Sequence, residues 1–150
     1  VIRVFRPSGP RWLSERDVRA AVTAAFDHAR RRRIAIDVVL VDDRTLAELH
    51  ERFLGDPSPT DVMAFDLSGD AAAIAGGVEA EIYASHECAR RVAAARGVHP
   101  ARELCLYVVH GALHLCGFDD RSAGARRRMR RAEARIMKAL GFPPDPGRHV

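Results

Sequence analysis

No run of eighteen or more apolar residues occurs anywhere in the chain, so no membrane-spanning helix is expected. Nor does a charged segment followed by an apolar one open it, and the reading therefore expects no secretory leader. Cysteine is scarce: Cys88, Cys105 and Cys116 are odd in number and scattered, which suits reduced thiols in a cytoplasmic protein better than a disulfide framework. Lysine is all but missing. Lys138 is the only one, so the formal charge of +4 is carried almost wholly by arginine. Arginine grips phosphate through a planar fork of donors, and an arginine-rich surface suits RNA. The same bias, with abundant alanine, also follows from a genome rich in G and C, so charge alone decides little. Repeats, low-complexity tracts and linkers are absent too. The 150 residues read as one domain, 1–150, long enough to bury a core without staples.

What the chain does have is the stretch from Leu104 to Asp120, LCLYVVHGALHLCGFDD. His110 and His114 stand four apart in a run with helical spacing, so both imidazoles leave one face about a turn apart and can reach one metal ion. Gly117 should stop the helix, since glycine enters the left-handed region at little cost. Asp119 and Asp120 follow that stop, where either carboxylate can approach the ion from another direction. The pattern His110, His114, Asp120 leaves a tetrahedral ion one open position, the arrangement of a catalytic zinc site. A water there, with its pKa lowered by the cation, would be the nucleophile of a hydrolytic reaction. Zinc peptidases place their glutamate base directly after the first histidine. Here that residue is Gly111, which argues against a peptidase mechanism. Two histidines four apart can also be simple buried or hydrogen-bonded side chains; the glycine turn and paired aspartates are what favour metal. Cys116 lies near the site but reads as a small buried core residue.

HGALHLCGFDD resembles the HGxLHLxGYDH signature of the YbeY family, the bacterial rRNA maturation endoribonucleases, with Asp120 where the family has its third histidine. PTDVMAFD at Pro59 to Asp66 is similar to the family's PTDVLSFP segment, and Ala80 to Ser85, AEIYAS, resembles its GDIxIS strand end. The three segments follow the family's order. One departure stands in the YRxKDxPTDV-like run, where Leu54 occupies the position of an arginine regarded as functional in the family. A leucine neither binds phosphate nor stabilises developing charge.

Taken in order, Ile2 to Phe5 reads as a first strand, and Ser14 caps a helix whose stripe is Val18, Ala21, Val22, Ala25, Phe26 and Ala29. Arg30 to Arg33 is expected to close that helix, favouring its negative end. Ile34 to Val41 is β-branched and nearly continuous, which predicts a strand buried on both faces. Asp42 and Asp43 cap a short helix through Thr45, Leu46, Leu49 and Phe53; His50 on it reads as exposed or hydrogen-bonded rather than as a ligand. GDPSP is a turn-rich loop. Asp61 to Leu67 and Gly77 to Tyr83 are strands joined by a hairpin loop from Ser68 to Gly76, the second expected at a sheet edge beside the metal cleft. Ser85 caps a helix with Cys88, Val92 and Ala95 inward and Gly97 at its end. Pro100 opens the signature helix, whose stripe is Leu104, Val108, Gly111 and Leu115. Ser122 caps a last helix that buries Met129, Ala132, Ile136 and Leu140 and carries Arg126, Arg127, Arg128, Arg130, Arg131 and Arg135 outward. Gly141, Pro143 and Pro144 end it, before a short tail.

These elements predict an α+β fold, a small mixed β-sheet covered by helices with the metal-binding helix central, and the resemblance implies the same architecture. It further implies a zinc-dependent endoribonuclease acting on single-stranded RNA in ribosomal RNA maturation and ribosome quality control, with the ribosomal small subunit as a partner. The proposed ligands are His110, His114 and Asp120, holding one zinc or another divalent transition metal. No catalytic residue is assigned beyond the metal-bound water. Asp119 is expected to orient a ligand or a water. Arg126, Arg127, Arg130 and Arg131 are candidate RNA contacts, a solvated helix face being the plain alternative. Two rivals stand beside this reading: a non-catalytic rRNA- or ribosome-binding factor stabilised by its metal, for which Leu54 argues, and a metallopeptidase-like hydrolase. The sequence leaves the oligomeric state open.

Overall fold

Alternation between buried and half-exposed side chains defines the sheet. The computed structural model describes residues 1–7, 9–56, 58–71 and 76–143. Four strands, β1 (Ile2–Phe5), β2 (Arg33–Val41), β3 (Val62–Asp66) and β4 (Gly77–Ser85), lie in the order β1-β2-β4-β3. β1 and β4 pair parallel to β2, and β3 pairs antiparallel to β4. The register sets Ile36 beside Ala80, Val38 beside Ile82 and Leu40 beside Ala84, which puts these buried residues of both central strands on one face. The other face carries Asp37 beside Glu81 and Val39 beside Tyr83. There Arg3 forms a forked pair with Asp37, both contacts at 2.8 Å, and the Tyr83 hydroxyl donates to Glu81 at 2.7 Å.

Five helices are described: α1 (Glu15–His28), α2 (Asp43–Leu54), α3 (His86–Arg96), α4 (Pro100–Leu115) and α5 (Ala123–Ala139). Four begin on the side-chain caps that the sequence offers. Ser14, Asp42, Ser85 and Ser122 accept from the amides of Asp17, Thr45, Cys88 and Ala125, satisfying donors that a helix start leaves orphaned. α4 packs against the inner sheet face and is enclosed by α1, α3 and α5. Every residue from Leu104 to Val109 is buried, as are Ala112 and Leu113, so this helix is apolar nearly all round rather than along one stripe. Among the described helices α2 alone covers the outer face, where Leu46 meets Val41 and Met63 in a second, smaller cluster.

Several expectations are corrected by this arrangement. β2 is not buried on both faces: Ile36, Val38 and Leu40 are enclosed, but Ala35 is exposed and Asp37 and Val39 are half-buried, because α2 shields only the far end of the outer face. β4 is not an edge strand; its parallel partner β2 holds it in the interior of the sheet, and β3 forms the edge. On α3 the inward residues are Ala89 and Ala93, with Cys88 and Val92 half-buried and Ala95 exposed, a rotation that follows from His86 entering the buried set at the helix start. The arginine run does not close α1. That helix ends at His28, Arg30 turns the chain at φ +58°, and Arg33 already belongs to β2. The loop expected over Ser68 to Gly76 and the tail after Pro143 fall partly and wholly, respectively, outside the described residues. No helix among the described residues is long and apolar enough to cross a membrane.

Candidate metal centre

α4 carries His110 and His114 in its last two turns, where its side chains pass from buried to exposed. The helix gives way at Cys116, and Gly117 takes φ +94°, a conformation that bends the chain back toward the histidines. Asp119 Oδ1 accepts from the Arg121 amide at 3.1 Å, an Asx turn that shapes the segment bearing Asp120. The Asp120 carboxylate then stands 3.9 Å from His110 Nε2 and 3.8 Å from His114 Nε2, and the two imidazole nitrogens are 3.0 Å apart.

These separations suit a metal ion. A tetrahedral zinc with bonds of about 2.0–2.1 Å spaces its donor atoms about 3.3–3.4 Å apart. The three observed distances bracket that value, and the donors all lie within 4.8 Å of one another. Two neutral nitrogens and one carboxylate also form a donor set that zinc and related divalent ions accept.

Electrostatics separates the two histidines. Burial works to lower the pKa of His110, but its hydrogen bond to Glu133 and the charges of Glu133, Asp61 and Asp120 outweigh burial and raise it. Burial and the neighbouring His110 lower that of His114. Glu133 Oε2 lies 3.4 Å from His110 Nδ1, from a carboxylate that is 5% exposed on α5. A hydrogen on Nδ1 donated to this carboxylate leaves Nε2 with its lone pair free for a cation, and it fixes the ring.

Gly111, where a zinc peptidase would carry its base, faces the sheet. A Cβ there would stand 3.2 Å from Val62 Cγ2 and 3.3 Å from Ile82 Cγ2. Helix α4 and strands β3 and β4 pack so tightly across this glycine that even a Cβ requires a neighbouring side chain to give way. Cys116 is not part of the donor group; it is half-buried, and burial pushes its thiol up to about 11.

His110 opens into a cleft of about 520 Å³, lined also by Asp120, Glu133 and Asp61 together with Arg96, Arg126 and Arg130; His114 is not among its lining residues. Of the four arginines singled out in the sequence, Arg126 and Arg130 line this cleft; Arg127 and Arg131 are not among its lining residues. Asp119 lies by a separate depression beside Gly117 and Arg128. Leu54, 64% exposed at the end of α2, contributes nothing to the cleft wall. His50 lies 3.0 Å from the Ser58 carbonyl oxygen through Nδ1, a hydrogen bond of the kind the sequence reading allows for it. Sequence reasoning missed Glu133 and Asp61. The first had a signal: a glutamate interrupting the apolar stripe of Met129, Ala132 and Ile136 is a buried charge in need of a partner.

With this geometry in view, comparison with known proteins gives a consistent set of relatives. A family model described as Endoribonuclease YbeY matches residues 12–141. Proteins named Endoribonuclease YbeY from Rhodopirellula baltica and Gluconobacter oxydans are each 37% identical, over 132 and 114 residues. The matches cover 87% and 76% of this chain and 63% and 64% of those proteins. One of the same name from Cutibacterium acnes is 34% identical over 109 residues, covering 69% of this chain and 70% of its own length. The chain thus spans a little under two thirds of the first of these relatives. The solution structure of a Thermotoga maritima protein shares the fold with a TM-score of 0.63 at 21% identity, covering 99% of this chain and all of that one.

Proposed function

The chain belongs to the YbeY endoribonuclease family, and from that premise we propose that it is a metal-dependent endoribonuclease that cuts single-stranded RNA, serving ribosomal RNA maturation and ribosome quality control in the cytoplasm. The proposed metal is one zinc per chain, and the ribosomal small subunit is the setting in which the RNA would be met. The observation that carries the reading is the convergence of His110, His114 and Asp120, two of which, His110 and Asp120, line a cleft that also contains guanidinium groups.

In this reading His110 and His114 bind the ion through Nε2 and Asp120 through its carboxylate. A divalent cation there supplies Lewis acidity toward a phosphoryl oxygen and lowers the pKa of a water. The protein's own part is positioning. Glu133 holds His110 in the tautomer that presents Nε2, the Asx turn on Asp119 keeps Asp120 facing the histidines, and arginines on α5 hold a polyanionic strand against the cleft. Asp120, standing where the family pattern has histidine, adds a negative charge to the donor set and so weakens the electrophilic pull of the ion.

Metal content by elemental mass spectrometry, measured for wild type and Asp120→Ala alongside cleavage of a single-stranded RNA, tests the proposal. About one metal per chain in the wild type is expected, as for a mononuclear three-ligand site, with metal and cleavage lost together in the variant. Metal bound without cleavage overturns the enzymatic reading. No metal in folded, zinc-reconstituted wild type overturns the site.

A further inference from the structure

Arg126, Met129, Arg130 and Glu133 occupy positions i, i+3, i+4 and i+7 of α5, and all four line the cleft with His110 and Asp120. This spacing is one face of a helix. Arg126 Nη1 donates to the Asp120 backbone carbonyl at 3.2 Å, tethering the guanidinium to the turn that bears the third donor. A guanidinium has five N–H donors, so this bond leaves Arg126 able to fork onto an incoming acceptor. Arg130 is exposed one turn further along the same face. The cleft's carboxylates are Asp61, Asp120 and Glu133; Asp120 completes the donor triangle and Glu133 meets His110. The third cleft arginine, Arg96, is engaged with buried Glu103 at 3.3 Å.

We propose that Arg126 and Arg130 form a phosphate subsite that seats one phosphodiester of the strand beside the His110, His114 and Asp120 group, while the other arginines of α5 act only as a diffuse positive field. The proposal rests on the reading of this chain as an RNA-cutting enzyme and sharpens it to two residues. A forked guanidinium–phosphate contact is directional and short-ranged, whereas a field depends only on charge and is screened by salt. The two contributions therefore separate when equal numbers of charges are removed from different faces of one helix.

The experiment compares Arg126→Ala/Arg130→Ala with Arg127→Ala/Arg131→Ala, each in the metal-loaded full chain. Affinity for a short single-stranded RNA is followed by fluorescence anisotropy across a salt series, with the integrity of the RNA checked by electrophoresis. Inorganic pyrophosphate serves as a competing probe. The cleft pair should weaken binding about tenfold or more and lower the salt slope by about 1.4, since each phosphate contact to a single strand contributes about 0.7. The outer pair should cost about threefold or less and lower the slope by less than the cleft pair does, since only a screened field is lost. Arg126→Lys/Arg130→Lys should restore the salt slope but only part of the affinity, because an ammonium cannot fork. Pyrophosphate should compete with RNA on the wild type and the outer variant, and lose its effect on the cleft variant. Equal losses from the two double variants overturn the subsite while leaving cleavage to stand by itself. A wild type that shows these binding differences but never cleaves overturns the enzymatic reading and keeps the subsite. No RNA binding by the wild type overturns both.

Discussion

Glu133 on α5 reaches His110 Nδ1 on α4 at 3.4 Å, so the helix that follows the Asp120 turn orients a ring on the helix that precedes it. The carboxylate is buried at 5% exposure, and a buried carboxylate needs partners of this kind. Glu133→Gln keeps the size and removes the charge. We expect metal affinity to fall about 10- to 100-fold, the usual cost of losing such a supporting group. Titration against a chelating indicator would measure it, and unchanged affinity in a folded variant would remove Glu133 from the site.

Gly111 lies where α4 packs tightly on the sheet, with Val62 Cγ2 and Ile82 Cγ2 next to the space a Cβ would need. Gly111→Ala should destabilise the fold by about 1–3 kcal/mol through overpacking. Trimming the nearest obstacle, in Gly111→Ala/Val62→Ala, should leave the pair less destabilised than the sum of the two single changes. Urea midpoints of the four proteins decide it: strict additivity would mean that the helix simply shifts away.

Metal removal should loosen the whole chain, because an ion that binds only the folded state stabilises it by mass action. At free metal about 100-fold above its dissociation constant the contribution is about 2.7 kcal/mol. Thermal unfolding with a chelator should therefore begin at lower temperature, and added zinc should reverse this in the wild type but not in His114→Ala. A melting temperature indifferent to both treatments would count against the donor triangle.

Outside the cleft lining, Asp43 at the start of α2 accepts from the Ser85 hydroxyl and from Arg91, both at 2.7 Å. Burial works to raise its pKa, but these bonds and the Arg91 and His86 charges together hold it below the ordinary carboxylate range. A depressed folded pKa contributes stability in full above the unfolded value of about 3.9, and loses it as pH falls through the lower folded value. Arg91→Ala should thus melt earlier than the wild type near neutral pH, and the two curves should converge under acid. Melting temperatures taken from pH 7 down to 2 would show a constant gap if the pair is not linked to this titration.

Much of this protein was legible along the chain because the determining interactions are local. Helix starts at Ser14, Asp42, Ser85 and Ser122 depend on a side chain reaching an amide three residues on. The His110 and His114 pair needs only the helical repeat, and the turn before Asp120 needs only glycine's access to positive φ. The resemblance to the YbeY family lay in the same contiguous stretches, which is why it too was visible. What the tertiary structure decided depends on partners distant in sequence. Whether β4 sits inside the sheet depends on its pairing with β2, some forty residues upstream, and parallel pairing leaves no mark in either strand alone. The outer face of β2 is half open because a single helix covers it, not because its residues are polar. Glu133 finds His110 across 23 residues, and Arg126 and Arg130 were separated from their neighbours only when α5 was set against the cleft. Sequence by itself determined the order of the elements, most helix caps and which three side chains are candidate donors. Packing one helix against another determined which charges serve those donors, because helix rotation is set by the faces buried around it.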